Sequence, residues 1–427
     1  MKKYSYKIQN GWAFYDWANS VYSLVISTAI FPIYYDAVTR TENSDQVSFL
    51  GTSFTNTVLY NYTIAGSFLV LALISPYLSA MADISGNKKR FMQVFVYLGS
   101  LSCLSLYLFD ADHLWIGIMG SFVASIGFSG SLVFYNAYLP VVAPPEKQDR
   151  LSAKGFALGY AGSSILLIGN LWLIQNPGAL GLSDAGSATR LSFLTVGIWW
   201  LGFSQIPFSR LPVNVFHRKV KGHLGKKAYQ ELFLVIRNFS NTPRLKRFIT
   251  AFFFYSVGVQ TIILIASLFG TKVLGLPSEA LILTVLIIQF VAIAGSILFS
   301  RLSEKIGNIK SIGTAIFLWM AVCLSAFFVN EEWQFYTLGG LVGLVLGGIQ
   351  ALSRSTYSKM LPETMNHATY FSFYDVTEKL ATMIGMFSIG FIESLTGDLR
   401  NASLALTTFF AISFIALLTI PRSRYVY

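Results

Sequence analysis

Charge is scarce in this chain. Asp, Glu, Lys and Arg make up 12% of its 427 residues, against about 25% in soluble domains. So few charges cannot cover a water-facing surface, which excludes a soluble fold and makes lipid the expected solvent. Cysteine is rarer still. Cys103 and Cys323 both lie inside apolar runs, which predicts packing roles and no disulfide framework. The four histidines, His113, His217, His223 and His367, fall in connecting segments without paired ligand spacing, so no metal site is expected. The chain has no phosphate-cradling glycine loop with its lysine and no nucleophile elbow. Their absence argues against ATP-driven work and against an enzyme, and no cofactor is expected. A cleaved leader is not expected either, because residues 1–10 are polar and the first apolar run holds Asp16 and Asn19.

What the chain does have is long apolar runs. It is 54% hydrophobic with a mean hydropathy of +0.57. A membrane-crossing helix needs roughly 20 apolar residues, and twelve such stretches occur, the first at 12–38 and the last at 400–420. The net charge of +11 raises the question of a nucleic-acid partner, and its distribution answers it. With both termini on one side, that side receives 27 of the 31 Lys and Arg; only Arg40, Arg190, Lys272 and Arg400 fall opposite. Basic loops stay on the cytoplasmic side, so both termini are expected there and no nucleic acid is implied.

Two loops repeat each other. Asp83-Ile-Ser-Gly86-Asn87-Lys88-Lys89 and Glu304-Lys-Ile-Gly307-Asn308-Ile-Lys310 both read acid-x-x-Gly-Asn-x-Lys in a polar break between apolar runs. Tyr135 to Pro140 and Tyr357 to Pro362 match at a similar spacing, and Ala13-Phe-Tyr15 resembles Phe253-Phe-Tyr255. Matching offsets mean an internal duplication, the usual build of secondary transporters. The expected fold is an all-α polytopic membrane protein of 12 helices in two pseudo-symmetric six-helix bundles. The expected parts are an N-terminal bundle at 1–209, a basic cytoplasmic linker at 210–246, and a C-terminal bundle at 247–427. Residues 210–247 hold ten Lys or Arg and one acid, Glu231. Leu232, Phe233, Val235, Ile236 and Phe239 form an apolar stripe there, which suits a helix lying in the membrane interface. Gly339, Gly343 and Gly347, and likewise Gly155 and Gly159, are spaced for close helix approach.

Polar residues inside apolar helices are expensive and mark function. Asp16, Asn19, Ser23 and Ser27 recur at helical spacing, as do Gly343, Gly347, Gln350 and Arg354, and then Asp375, Glu378 and Thr382. Tyr22, Asn136, Tyr255 and Gln260 stand beside these stripes. Candidate solute-binding residues are therefore Asp16, Asn19, Tyr22, Asn136, Tyr255, Gln260, Gln350 and Arg354. Asp16, Asp375 and Glu378 are candidates for a coupling proton. Asp16, Lys154, Arg354, Asp375, Glu378 and Lys379 share one depth near the basic side. Three readings of the acids remain open: ion pairs that close the mouth, a solute or proton site, and acids favoured by a helix N-terminus.

These stretches resemble the major facilitator superfamily. The two repeated loops are similar to its signature between helices 2 and 3 and between helices 8 and 9. Tyr15-Asp16-Trp17-Ala18-Asn19-Ser20, Ala29-Ile-Phe-Pro32, Asn136-Ala-Tyr-Leu-Pro140, Gly258-Val-Gln260-Thr261, Gln350 to Ser355 and Phe373-Tyr-Asp375-Val resemble its vacuole-effluxer-like, autophagy-related branch. The resemblance implies alternating access between two bundles. It also implies a gate from Asp83, Gly86, Lys89, Arg90, Lys154, Glu304, Gly307, Lys310 and Lys379, in which Asp83 docks near the start of helix 11. Because Glu304 and Ile309 depart from the commoner pattern, the second lock is expected to be the weaker one. Eukaryotic relatives are associated with vacuolar amino-acid efflux. The expected function is thus secondary or facilitative export of a small organic solute such as an amino acid. Alternatives are movement of a lipid or large amphiphile, and a non-transporting scaffold or receptor. The expected setting is a bacterial inner membrane, or a vacuolar membrane in a eukaryote. The protein is expected to be monomeric, with lipids and protons as its other partners.

Overall fold

The computed structural model describes residues 5–41, 44–213, 223–396 and 399–421. Part of the expected linker, 214–222 with His217, lies outside the described residues. Fifteen α-helices dominate the described residues. In the first half these are α1 (Tyr6–Val21), α2 (Phe31–Thr39), α3 (Asn56–Ser85), α4 (Lys88–Ser105), α5 (Leu114–Asn136), α6 (Leu139–Val142), α7 (Pro145–Gln175) and α8 (Ala185–Arg210). A linker helix, α9 (Leu224–Ser240), follows. The second half holds α10 (Pro243–Leu274), α11 (Ser278–Ile306), α12 (Asn308–Phe327), α13 (Glu332–Met360), α14 (His367–Thr396) and α15 (Leu399–Leu418).

Ten helical stretches among the described residues are long and apolar enough to cross a membrane. The count rises to 11 if α10, bent by 60° near Ile263–Leu268, is taken as one span. The twelfth long helix, α14, is 30 residues long, but Asp375, Glu378 and Lys379 crowd one of its turns and lower its apolar content. The first span joins α1 to α2 through a π-helical stretch, Tyr22–Ala29, ending where Ile30 N donates to Val25 O at 2.9 Å. Short hairpin strands β1 (Gln46–Phe49) and β2 (Thr52–Thr55) pair antiparallel, with Leu50 and Gly51 both at positive φ in the tight turn.

Each half is a six-helix bundle. The halves meet through α3 against α14 and through α7 against α11 and α13. Shifting the second span by six gives the eighth, and shifting the fifth gives the eleventh. The pairings α3–α14 and α11–α7 are therefore images of each other under the internal duplication. The glycines make close approach possible. A Cβ on Gly343 would strike the backbone of Ile288, and one on Gly347 the backbone of Ala292, so α13 and α11 pack backbone to backbone.

Both repeated loops turn through their glycine. Gly86 ends α3 at φ +70° and Gly307 ends α11 at φ +88°, the left-handed region that side chains avoid. Here the chain turns at the face where α1 begins and α15 ends. This is the basic face.

Candidate functional site

A cavity of about 350 Å³ lies between the halves. All eight candidate solute-binding residues line it: Asp16, Asn19 and Tyr22 from the first span, Asn136, Tyr255, Gln260, Gln350 and Arg354. Glu378 and Lys379 line it as well. Its wall continues away from the basic face along Ser23, Ser27 and Thr28 of the π-helical stretch, and along Ala266 and Val285 of the other half. Such stretches widen the helix and free backbone groups, which is why they recur at functional sites.

The floor of the cavity is one ion pair across the two halves. Arg354 Nη2 lies 3.0 Å from Asp16 Oδ2, with both side chains almost fully buried. Arg354 also donates to Ser152 Oγ and to the Ser152 carbonyl, each at 2.9 Å, and approaches Asn136 Oδ1 at 3.5 Å. Its guanidinium sits over the rings of Phe156 at 4.1 Å, Trp12 at 4.8 Å and Tyr135 at 5.2 Å. Tyr135 in turn donates to Asp16 Oδ2 at 2.8 Å. The spaced glycines make room for this assembly: a Cβ on Gly155 would collide with Asp16 Oδ2, and one on Gly159 with Ser20 Oγ. A buried charge needs a partner and satisfied hydrogen bonds, and Asp16 and Arg354 have both.

A second polar group stands on the wall from the C-terminal half. Gln260 Nε2 donates to Glu378 Oε1 at 2.6 Å. Lys379 pairs along its own helix with Asp375 at 2.7 Å and rests over the Phe68 ring of the other half. Asp375 is buried behind the wall, outside the cavity lining. Among the described residues, two lining side chains each bury a polar atom without a hydrogen-bond partner, Asn19 Nδ2 and Gln289 Oε1. Tyr160 donates to Gln350 at 2.6 Å, closing another contact between halves.

Beneath the floor, the basic face is closed by two clasps. Asp83 is buried at the end of α3. It accepts from Ala368 N at 3.2 Å and from Thr369 N and Oγ1 at 2.8 Å, at the first turn of α14. Helix N-terminal amides and their dipole favour an acid there. Lys88 pairs with Asp83 at 2.9 Å. In the pseudo-symmetric position Glu304 meets Arg150, which is mostly solvent-exposed. The buried acid of this second clasp is instead Asp149 of α7. It accepts from Ser303 at 2.9 Å, Asn308 at 2.8 Å and Lys359 at 2.6 Å. Several expected gate residues sit elsewhere. Lys89 bonds the Leu211 carbonyl and Lys154 bonds Asn10, and neither bond reaches the C-terminal half. Arg90 and Lys310 are exposed at the basic face, and Lys379 belongs to the cavity wall.

Sequence reasoning missed Asp149, Ser152, Lys359, Lys88 and Trp12. Asp149 and the two lysines stand close to helix ends, where charge is ordinary, and Trp12 is one of many aromatics. The second clasp had one usable signal: Asn308 repeats Asn87, and Asp149 opens the helix that the duplication pairs with the Glu304 loop.

Comparison with known proteins gives this architecture a family. Residues 5–425 match the family described as vacuole effluxer Atg22 like. The chain belongs to that family. It is 34% identical over 99% of its length to an uncharacterized major-facilitator-type transporter of Bacillus subtilis, covering 96% of that protein. It is 22% identical to autophagy-related protein 22 of Coccidioides immitis, over 92% of this chain and 83% of that one. Among solved structures, a proton:xylose symporter bound to a bromodeoxyglucose superposes with a TM-score of 0.73 at 12% identity, covering 97% of this chain and 96% of that one. A bacterial homologue of the iron transporter ferroportin, in its outward-facing state, gives 0.65 at 14% identity, covering 97% and 98%. At such identity the likeness is one of fold: the twelve-helix major facilitator architecture. The Atg22-like chain is an integral membrane protein of the transporter class.

Proposed function

We propose that this Atg22-like protein exports a small zwitterionic solute, an amino acid first, by alternating access. The basic face is cytoplasmic, as the loop charges require, so the arrangement is closed inward and continues outward. The observation that carries the reading is the cavity. Its lining holds two acids, Asp16 and Glu378, and two bases, Arg354 and Lys379, and the amides of Asn19 and Gln289 each keep a polar atom without a partner. A largely apolar lining with as many acids as bases suits a small zwitterion better than a multiply charged phosphate ester. About 350 Å³ is at the small end of ligand cavities, which run about 300–1,000 Å³.

Asp16 and Arg354 act as the central gate, since opening the basic face must part them. Glu378 is the group that exchanges a proton with the cavity: it reaches the lining, and its direct partner is the neutral amide of Gln260. Asp375 is committed to Lys379 and sets the charge behind it. A metabolite-library thermal-shift screen on the purified protein tests the reading, because a ligand of the native state raises its apparent stability. Stabilisation by amino acids, lost in Asn19→Ala with Gln289→Ala, is expected. Stabilisation by lysolipids alone would point to an amphiphile instead.

A further inference from the structure

The linker helix α9 has two apolar faces. One carries Ala228 and Leu232, which complete a small separate core with Ala80 and Ile84 of α3. The other carries Tyr229, Phe233 and Ile236 at helical spacing, and these are 57%, 68% and 43% exposed. Lys226 and Arg237, both exposed, lie together along one edge of this open stripe. An open apolar stripe bordered by cations fits a leaflet with anionic headgroups. A soluble polyanion would satisfy the cations and leave Phe233 in water.

The attachments of α9 give this position a consequence. Glu231 accepts a hydrogen bond from Asn366 Nδ2 at 2.9 Å. The Asn366 carbonyl receives Tyr370 N at 3.2 Å in the first turn of α14, the same turn whose amides hold Asp83. Phe239 of α9 packs on Tyr370 and Phe373. Thus α9 spans the two helices that the Asp83 clasp joins, one from each half.

We propose that α9 is a sensor of anionic phospholipid, which holds the Asp83 clasp shut when it is seated on the leaflet. A ligand shifts a conformational equilibrium only through contacts that differ between its states. When the basic face opens, the first turn of α14 leaves α3. With α9 pinned to α3 by the Ala228 core, either Glu231–Asn366 breaks or α9 lifts from the lipid. Where the Glu231–Asn366 bond holds, α9 lifts with α14, and its contacts with the leaflet then belong to the closed state alone. Each Lys or Arg drawn to an anionic surface is worth roughly a fivefold shift.

The test uses the full chain in nanodiscs of phosphatidylcholine, with or without phosphatidylglycerol. Cys103 and Cys323 are buried, so Phe233→Cys takes a fluorescent label selectively, and brominated acyl chains report its contact with lipid. In a second sample, spin labels on Leu50→Cys and Glu279→Cys report the separation of the halves at the opposite face. We expect quenching at position 233 and a phosphatidylglycerol-driven rise of about fivefold or more in the population wide at the opposite face. Lys226→Gln with Arg237→Gln should abolish that rise. Asn366→Ala should keep the quenching and lose the rise. Absence of quenching, a lipid response unchanged in both variants, or the same response to inorganic phosphate in phosphatidylcholine discs would overturn the proposal.

Discussion

At the scale of single residues, the charges inside the apolar helices decide the behaviour. Asp16→Asn leaves the Arg354 guanidinium buried without its counter-ion, and breaking a buried pair costs about 3–5 kcal/mol. The variant should melt at a lower temperature and lose flux, as thermal unfolding and proteoliposome transport would show. The acids of the two repeated loops should respond unequally. Asp83→Asn removes a buried carboxylate that gathers three donors from α14 and one lysine, a loss of about 2 kcal/mol. It should raise the population open at the basic face more than tenfold, read by spin-label distances. Glu304→Gln touches an exposed pair worth under about 1 kcal/mol, and it should shift the same distances little. Asp149→Asn should behave like Asp83→Asn. Asp16 and Arg354 were legible in the sequence because a charge amid apolar residues stands out. Asp149 and Lys359 were not, because near a helix end a charge needs no special cause. Their roles come from burial by the opposite half, which no local pattern encodes.

At the scale of elements, the helices were legible and their irregularities were not. Twelve apolar runs and the spaced glycines announce packed spans, and α13 does press onto α11 at Gly343 and Gly347. Gly347→Val should therefore wedge backbone from backbone and destabilise by about 1–3 kcal/mol. Ala should be milder, and yield and melting temperature would rank the two. The π-helical turn at Tyr22–Ala29 left no trace in periodicity, because Asp16, Asn19, Ser23 and Ser27 keep a regular helical spacing through it. Pro32 follows it and lacks the N–H that would carry a regular ladder back to Thr28, the local cue that was present. The hairpin between α2 and α3 likewise falls outside the apolar runs. The charged turn of α14 shows the reverse case: Asp375, Glu378 and Lys379 were visible at once, yet only the structure separates the cavity-facing Glu378 from Asp375 behind it.

At the scale of the whole molecule, duplication organises everything. The repeated loops anticipated two clasps with the second one weaker, and the pairings α3–α14 and α11–α7 bring the halves together at both. The halves have nonetheless exchanged roles at the second clasp, where the buried acid comes from the helix that receives the loop. Between the clasps and the cavity stands the Asp16–Arg354 pair, so access from the basic face requires that pair to part. That requirement is the centre of the account. Counterflow of a radiolabelled amino-acid mixture into preloaded proteoliposomes, wild type beside Asp16→Asn, tests it most directly. The account predicts saturable uptake by the wild type and its loss in the variant. No uptake by a folded wild type, or equal uptake by both, would contradict it.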